Sequence, residues 1–178
     1  MNILLFKKIK SPIILKEGSS TENEIAQYKS MLETASSREK SFINDNINIL
    51  EAGLLGERRV LFELKNSHIP MLILQDLYLE HDSLSAQIDF LVITRLCNFI
   101  IECKNLVGDI EITETGAFIR NAYGKKEGIY SPVTQNKRHL ELIREIRKET
   151  KPNALMKHYY DKWFYDVNKS IIVLAKSS

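Results

Sequence analysis

Apolar residues at Ile25, Tyr28, Leu32, Ala35 and Phe42 recur at helical spacing, and Thr21 with Glu24 three residues on has the form of a capping box. The pair Ser36-Ser37 is where such a helix would break. A second stripe, Leu50, Leu54, Leu61 and Leu64, predicts a helix over about 47–66 and holds Glu57 within it. The period then drops to two. Residues 71–79, 86–94 and 98–105 are β-type runs, followed by a small hairpin, 109–113 and 117–121, around Gly116. A loop with Lys125, Lys126 and Gly128 leads to Pro132, a favoured first-turn residue, and to a helix with Leu142, Ile143 and Ile146 on one face that ends before Pro152. A helical, aromatic-rich segment over 153–165 and a β-run over 170–175 close the chain. The short connections predict consecutive antiparallel strands. The whole reads as a mixed α/β (α+β) body, residues 46–178, behind a helical extension, residues 1–45.

Composition narrows the class. With 178 residues, 44% hydrophobic and 27% charged, and only 7 Gly and 4 Pro, the chain suits one folded domain rather than a disordered or fibrous one. Lys7, Lys8 and Lys10 split the apolar clusters 3–6 and 13–15 far below the ~20 apolar residues of a membrane span. Two cysteines, Cys97 and Cys103, and four scattered histidines exclude a disulfide framework and a four-ligand zinc site. The expected setting is the reducing cytoplasm, with no membrane. A net charge of +2 puts any nucleic-acid contact on a local patch.

Charged residues on apolar strands supply the candidate chemistry. Alternation puts Gln87 and Asp89 on one face with Leu91 and Ile93, opposite Ile88, Phe90 and Val92, and it pairs Glu102 with Lys104 on the next run. A two-residue turn, Arg95-Leu96 or Leu96-Cys97, would set position 89 opposite 102 or 104, so that Asp89, Glu102 and Lys104 cluster within roughly 5–8 Å. Buried charges need partners. Two accounts meet that need: an ion pair in which Lys104 bridges the carboxylates, or a magnesium site built on hard oxygen ligands. In the second, a lysine beside the metal positions or deprotonates the attacking water. Glu57 would bring a third carboxylate if its helix packs on the sheet. Gln135 and His139, four apart, share a helix face with Leu142 and Ile146 and point to the same sheet, although the pair alone also reads as a capping or core-edge pair. Lys125 and Lys126 are the phosphate candidates, whereas the later helix cations interleave with Glu141, Glu145 and Glu149 as a solvated face.

Four blocks, in order, carry a resemblance: Gly53-Leu54-Leu55-Gly56-Glu57, Gln87-Ile88-Asp89, Ile101-Glu102-Cys103-Lys104-Asn105 followed by Gly108, and Pro132-Val133-Thr134-Gln135. Together they resemble the nuclease-related domain (NERD), which belongs to the PD-(D/E)xK nuclease superfamily. The resemblance covers about 53–135. It implies a restriction-endonuclease-like α-β-β-β-α-β core with a mixed central sheet. It also implies that Asp89 and Glu102 bind metal, with the Cys103 backbone carbonyl as a further ligand, that Lys104 is the catalytic lysine and that Glu57 is an additional acidic site residue. Gln87 and Gln135 would contact substrate or the groups behind it. The chain departs from the pattern at Ile88, where the superfamily name has proline, and at Phe90, Leu106 and Ser131.

The expected activity is a nuclease using Mg2+, with Mn2+ able to substitute, that hydrolyses phosphodiester bonds of nucleic acid, DNA foremost. His139, Lys125 and Lys126 join the glutamines as substrate contacts. Two other readings stand beside it: a non-catalytic nucleic-acid-binding or protein-interaction module on the same scaffold, and an extension that serves as a homodimerisation element.

Overall fold

The computed structural model describes residues 8–106, 108–122 and 124–175. The apolar cluster 3–6 lies outside them. The elements run β1 (Ile13–Lys16), α1 (Ser20–Met31), α2 (Ser37–Asn66), β2 (Met71–His81), β3 (Leu84–Thr94), β4 (Asn98–Lys104), β5 (Asp109–Ile112), β6 (Phe118–Ala122), β7 (Lys125–Ile129), α3 (Pro132–Glu149), α4 (Ala154–Val167) and β8 (Asn168–Leu174). A five-stranded sheet has the order β1-β2-β3-β4-β8, and β5-β6-β7 form a separate small sheet. The large sheet is mixed: β2-β3-β4 are antiparallel, while β1 runs parallel to β2 and β8 parallel to β4. Within it, α2-β2-β3-β4-α3-β8 is the α-β-β-β-α-β core of a nuclease-like fold.

Apolar packing places the helices. Val60 and Leu61 of α2 pack with Met71, Ile73, Phe90, Val92 and Ile101 on one face of the sheet. Leu140 of α3 and Phe164 of α4 pack with Ile88 and Ile100 on the other. A third cluster, Ile25 with Ile43, Ile47 and Leu54, ties α1 to α2. Gly56 lets α2 approach the sheet closely: a Cβ there would stand 2.8 Å from the Asn105 Cβ and 3.3 Å from the Cys103 Sγ. This site accepts a helix-interior glycine, which costs about 1 kcal/mol relative to alanine, because anything larger would push the helix off β4.

Several local expectations change. Thr21 and Glu24 do not form the first cap: α1 starts at Ser20, and its N-terminal amide is bonded by Asp76 from the sheet. The capping box lies instead at Ser36 and Glu39, where Ser36 N donates to Glu39 Oε2 at 2.8 Å. It starts one continuous helix, Ser37–Asn66, so Phe42 belongs to α2 and position 45 falls within that helix. The segment before α1 contributes strand β1, with Ile13 facing Leu72. Lys125 and Lys126 lie on strand β7 rather than in a loop.

The largest departure is in the alternation of β2 and β3. Phe90 and Val92 belong to the α2-side core, but Ile88 joins Leu91 in the α3-side core. On β2, Ile73 faces α2, whereas Leu77 and Leu79 face α3. Both strands therefore exchange faces at one level, marked by Asp76 and Asp89, and Ile88 is not opposite Leu91 as strict alternation requires.

Candidate active site

The β3-β4 turn decides what meets at the sheet. Thr94 N donates to Cys97 O at 2.9 Å, so the loop is Arg95-Leu96, and the ladder pairs Phe90 with Ile101 and Leu91 with Ile100. Position 89 thereby comes level with 102, just past the last ladder pair. Asp89 does not continue the ladder. Its Oδ2 accepts the backbone N–H of Cys103 at 2.7 Å.

Glu102 is 2% exposed and projects toward α3, since its neighbours Ile101 and Cys103 face α2. Its Oε1 lies 2.7 Å from Lys104 Nζ, and its Oε2 has no hydrogen-bond partner, with His139 Nδ1 at 3.6 Å. His139 is in turn set by α3, which Ser131 caps through its Oγ at Thr134 N and whose Asn136 is wholly buried. Asn136 Nδ2 donates to Ile100 O and Ile171 O at 3.0 and 2.9 Å, pinning the helix across β4 and β8. Burial, more than the Glu102 charge can offset, lowers the His139 pKa, so the ring stands neutral at pH 7.

Glu57 approaches from α2. Its Oε2 accepts long hydrogen bonds of 3.5 Å from Gln75 Nε2 and Ser19 Oγ. Burial raises its pKa, and the charges of Asp76 and Glu102 add to the effect. Asp89 is raised to about 7, by burial first and then by Glu102, against the lowering effect of the Cys103 N–H. Glu57 and Asp89 thus both feel the charge of Glu102, although Glu57 comes from the α2 side and Glu102 projects toward α3. The same burial and the same carboxylates push the Cys103 thiol up to about 12, leaving it an inert neighbour packed on the α2-side core.

The remaining expected residues divide. Gln135 sits half-buried in the first turn of α3. Gln87 is exposed and faces the N-terminal segment, donating to Ser20 Oγ and Asp76 Oδ1 at 2.6 Å each. Lys125 and Lys126 are exposed on the small sheet, and Lys126 pairs with Glu111 at 3.1 Å. A recess of about 270 Å³ at the end of β4, lined by Lys104, Leu106, Gly108, Asp109, Ile110 and Leu174, joins the small sheet to the cluster.

Among the described residues, no three histidine, cysteine, aspartate or glutamate side chains form a group able to hold a metal ion. The donor set nonetheless fits a hard divalent cation. Two carboxylates and a backbone carbonyl are oxygen donors, one of them the buried, unpartnered Glu102 Oε2, and magnesium is ordinarily held by one or two carboxylates together with waters and substrate phosphates.

Sequence reasoning missed Gln75, Asp76, the Ser19-Ser20 pair and Asn136. The polar pair Gln75-Asp76 within the apolar run 71–79 was the available signal. Ser19 and Ser20 carried none, because their partners are more than fifty positions away for Asp76 and 38 for Glu57. Among the described residues, no helix is long and apolar enough to cross a membrane.

Comparison with known proteins agrees with the four-block resemblance. The family model of the nuclease-related domain matches residues 52–172, more than half of the chain. No curated protein and no solved structure matches it.

Proposed function

Because the chain belongs to the nuclease-related domain family, whose model spans its core from α2 into β8, we propose that it is a metal-dependent nuclease hydrolysing phosphodiester bonds of nucleic acid, DNA foremost. The observation that carries this reading is the buried Glu102, with one oxygen unpartnered, at the level of an Asp89 whose pKa is raised to about 7. Such an arrangement stores carboxylate repulsion that a cation would relieve.

In this reading Asp89, Glu102 and the Cys103 carbonyl hold Mg2+, with Mn2+ able to substitute. The bound ion supplies Lewis-acid stabilisation of phosphoryl charge and a water acidic enough to attack at neutral pH. Lys104 reaches from Glu102 toward solvent, with 29% of its side chain exposed, and its ammonium orients the attacking water and balances charge developing on the phosphoryl oxygens. Glu57, whose pKa burial raises, adds an acidic group at the α2 side. Gln135 and His139 on α3 contact the substrate, Gln87 does so from the opposite wall, and Lys125 and Lys126 contact phosphates farther out. Two free cysteines suit a cytoplasmic setting. Pairing of two copies through the helical extension would bury Phe42, exposed on α2.

The 2.7 Å Lys104–Glu102 pair favours a second reading, a non-catalytic binding module in which that pair is structural. Incubation with plasmid and short single-stranded DNA, with and without Mg2+ or Mn2+, separates the two. Cleavage that needs metal and disappears in Asp89→Ala supports the nuclease. Binding without cleavage under either metal, by a folded protein, supports the module.

A further inference from the structure

Strand β2 contains a residue with the wrong handedness for a strand. Asp76 has φ 53°, in the left-handed region that aspartate tolerates better than most residues but that has no place in a regular ladder. The β2-β3 register passes from Gln75–Phe90 to Leu77–Ile88, so the pair at Asp76 and Asp89 is skipped. At this same level both strands exchange faces between the α2-side and α3-side cores. A single reversed residue on β2 thus coincides with the point where Asp89 leaves the ladder and turns its carboxylate to the Cys103 amide.

The left-handed conformation is held in part from outside the residues that match the family model. Ser20, at the start of α1, donates its N–H to Asp76 Oδ2 at 2.8 Å and its hydroxyl to Oδ1 at 3.0 Å. Gln87 donates to Oδ1 from β3 at 2.6 Å, and Lys16 of β1 stands 3.8 Å from Oδ2 while its ammonium bonds the main-chain carbonyls of Gln75 and Asp76. Only 15% of the Asp76 side chain remains exposed. Asp76 caps α1, and α1 in return fixes Asp76.

We propose that Asp76 is a positioning residue for Asp89: its left-handed backbone breaks the β2-β3 ladder at the point that frees Asp89, and the N-terminal segment from β1 to α1 locks that break in place. The proposal rests on the reading of Asp89 as a metal-binding carboxylate, but its geometry can be tested apart from that reading. A side chain without local hydrogen bonds would pull residue 76 back toward extended backbone, restore the ladder pair and draw Asp89 away from Cys103. Glycine would keep the conformation at no steric cost, and Lys16 of β1 would still hold the main-chain carbonyls of residues 75 and 76, while every bond to α1 is lost.

The test is amide hydrogen exchange in the full chain, read at Cys103 N–H, which Asp89 protects, and at Ser20 N–H, which Asp76 protects. In Asp76→Gly, Ser20 should lose its protection, whereas Cys103 should stay within about threefold of wild type. In Asp76→Ala, Cys103 should exchange about tenfold faster or more, the population cost of holding an ordinary side chain in the left-handed region. Metal binding, followed by calorimetry, should track Cys103 in both variants. Cys103 exposed in the glycine variant, or protected as in wild type in the alanine variant, overturns the proposal, and the glycine variant alone decides if the alanine variant does not fold. A wild type that neither binds metal nor cleaves DNA, yet shows this exchange pattern, defeats the nuclease reading and leaves the positioning role standing. An active wild type without the pattern does the reverse.

Discussion

The two walls of the candidate site are built differently. On the α3 side, Asn136 is fully buried and bonds two main-chain carbonyls, and Glu102 is 2% exposed against His139. On the α2 side, Glu57 is held by two 3.5 Å contacts. Short bonds to buried backbone resist displacement, whereas 3.5 Å contacts at the margin of hydrogen-bond geometry yield to a competing ligand. The α3 wall is therefore suited to fixing the carboxylate and lysine of the chemistry, and the α2 wall to adjusting around what enters.

The largest effect should fall on the rigid wall. If Lys104 acts in the transition state, Lys104→Ala should lower single-turnover cleavage by about 10²–10⁴ while DNA affinity changes little. A folded variant that cleaves at the wild-type rate would remove Lys104 from the mechanism. Asn136→Ala comes next. One buried and one part-buried carbonyl lose their donor, and urea unfolding should show a loss of about 2–4 kcal/mol; a loss as small as that of a surface substitution would mean that α3 is held by its apolar face alone.

The third prediction concerns pH. The Asp89 carboxyl titrates near 3.8 when unfolded and near 7 when folded, so between these values the native state holds a proton that the unfolded state has released. This contribution to stability is complete below about pH 4 and is lost as pH rises through 7. Without metal, stability, followed as melting temperature, should fall across that window by at most about 4 kcal/mol, and Asp89→Asn should flatten the fall. Millimolar Mg2+ should restore stability at pH 7–8 in wild type and not in the variant, because a ligand of the folded state stabilises it by mass action. Identical profiles for the two proteins would place Asp89 in water. The smallest effect belongs to the adjustable wall: Ser19→Ala should change stability by less than about 0.5 kcal/mol in the same urea experiment, and a larger loss would erase the contrast between the walls.

The residues of the rigid wall were the more legible in sequence. Alternation in β4 and a two-residue turn narrow the position level with Asp89 to 102 or 104, because both are local rules. His139, at helical spacing with Leu142 and Ile146, does lie on the buried side of α3, 3.6 Å from Glu102. The face exchange at Asp76 and Asp89 was not legible, since it breaks the very period from which faces are read. Strand β1 is four residues long and gains its sheet position by a parallel pairing with residues almost sixty positions away, which leaves no local pattern. Strand β7, Lys-Lys-Glu-Gly-Ile, has little intrinsic strand preference and forms because β6 offers it a partner. The first cap was misassigned for a related reason. Thr21 and Glu24 fit the local motif, but the donor groups of α1 are met by Asp76 across the sheet.

The parallel pairing of β4 with β8 also bears on synthesis. Asn98 and its partner Asn168 are 70 positions apart, so at ~5–20 residues per second β4 waits roughly 4–14 seconds for its neighbour to leave the ribosome. Throughout that interval β4 is a bare edge, able to recruit a strand from another nascent chain. Its first half, Asn98 to Ile101, is largely apolar, while Glu102 and Lys104 put both signs of charge near its end. Charged side chains on an open edge discourage foreign strands. The residues proposed for phosphodiester chemistry thus also put charge on the edge of the sheet that is covered last.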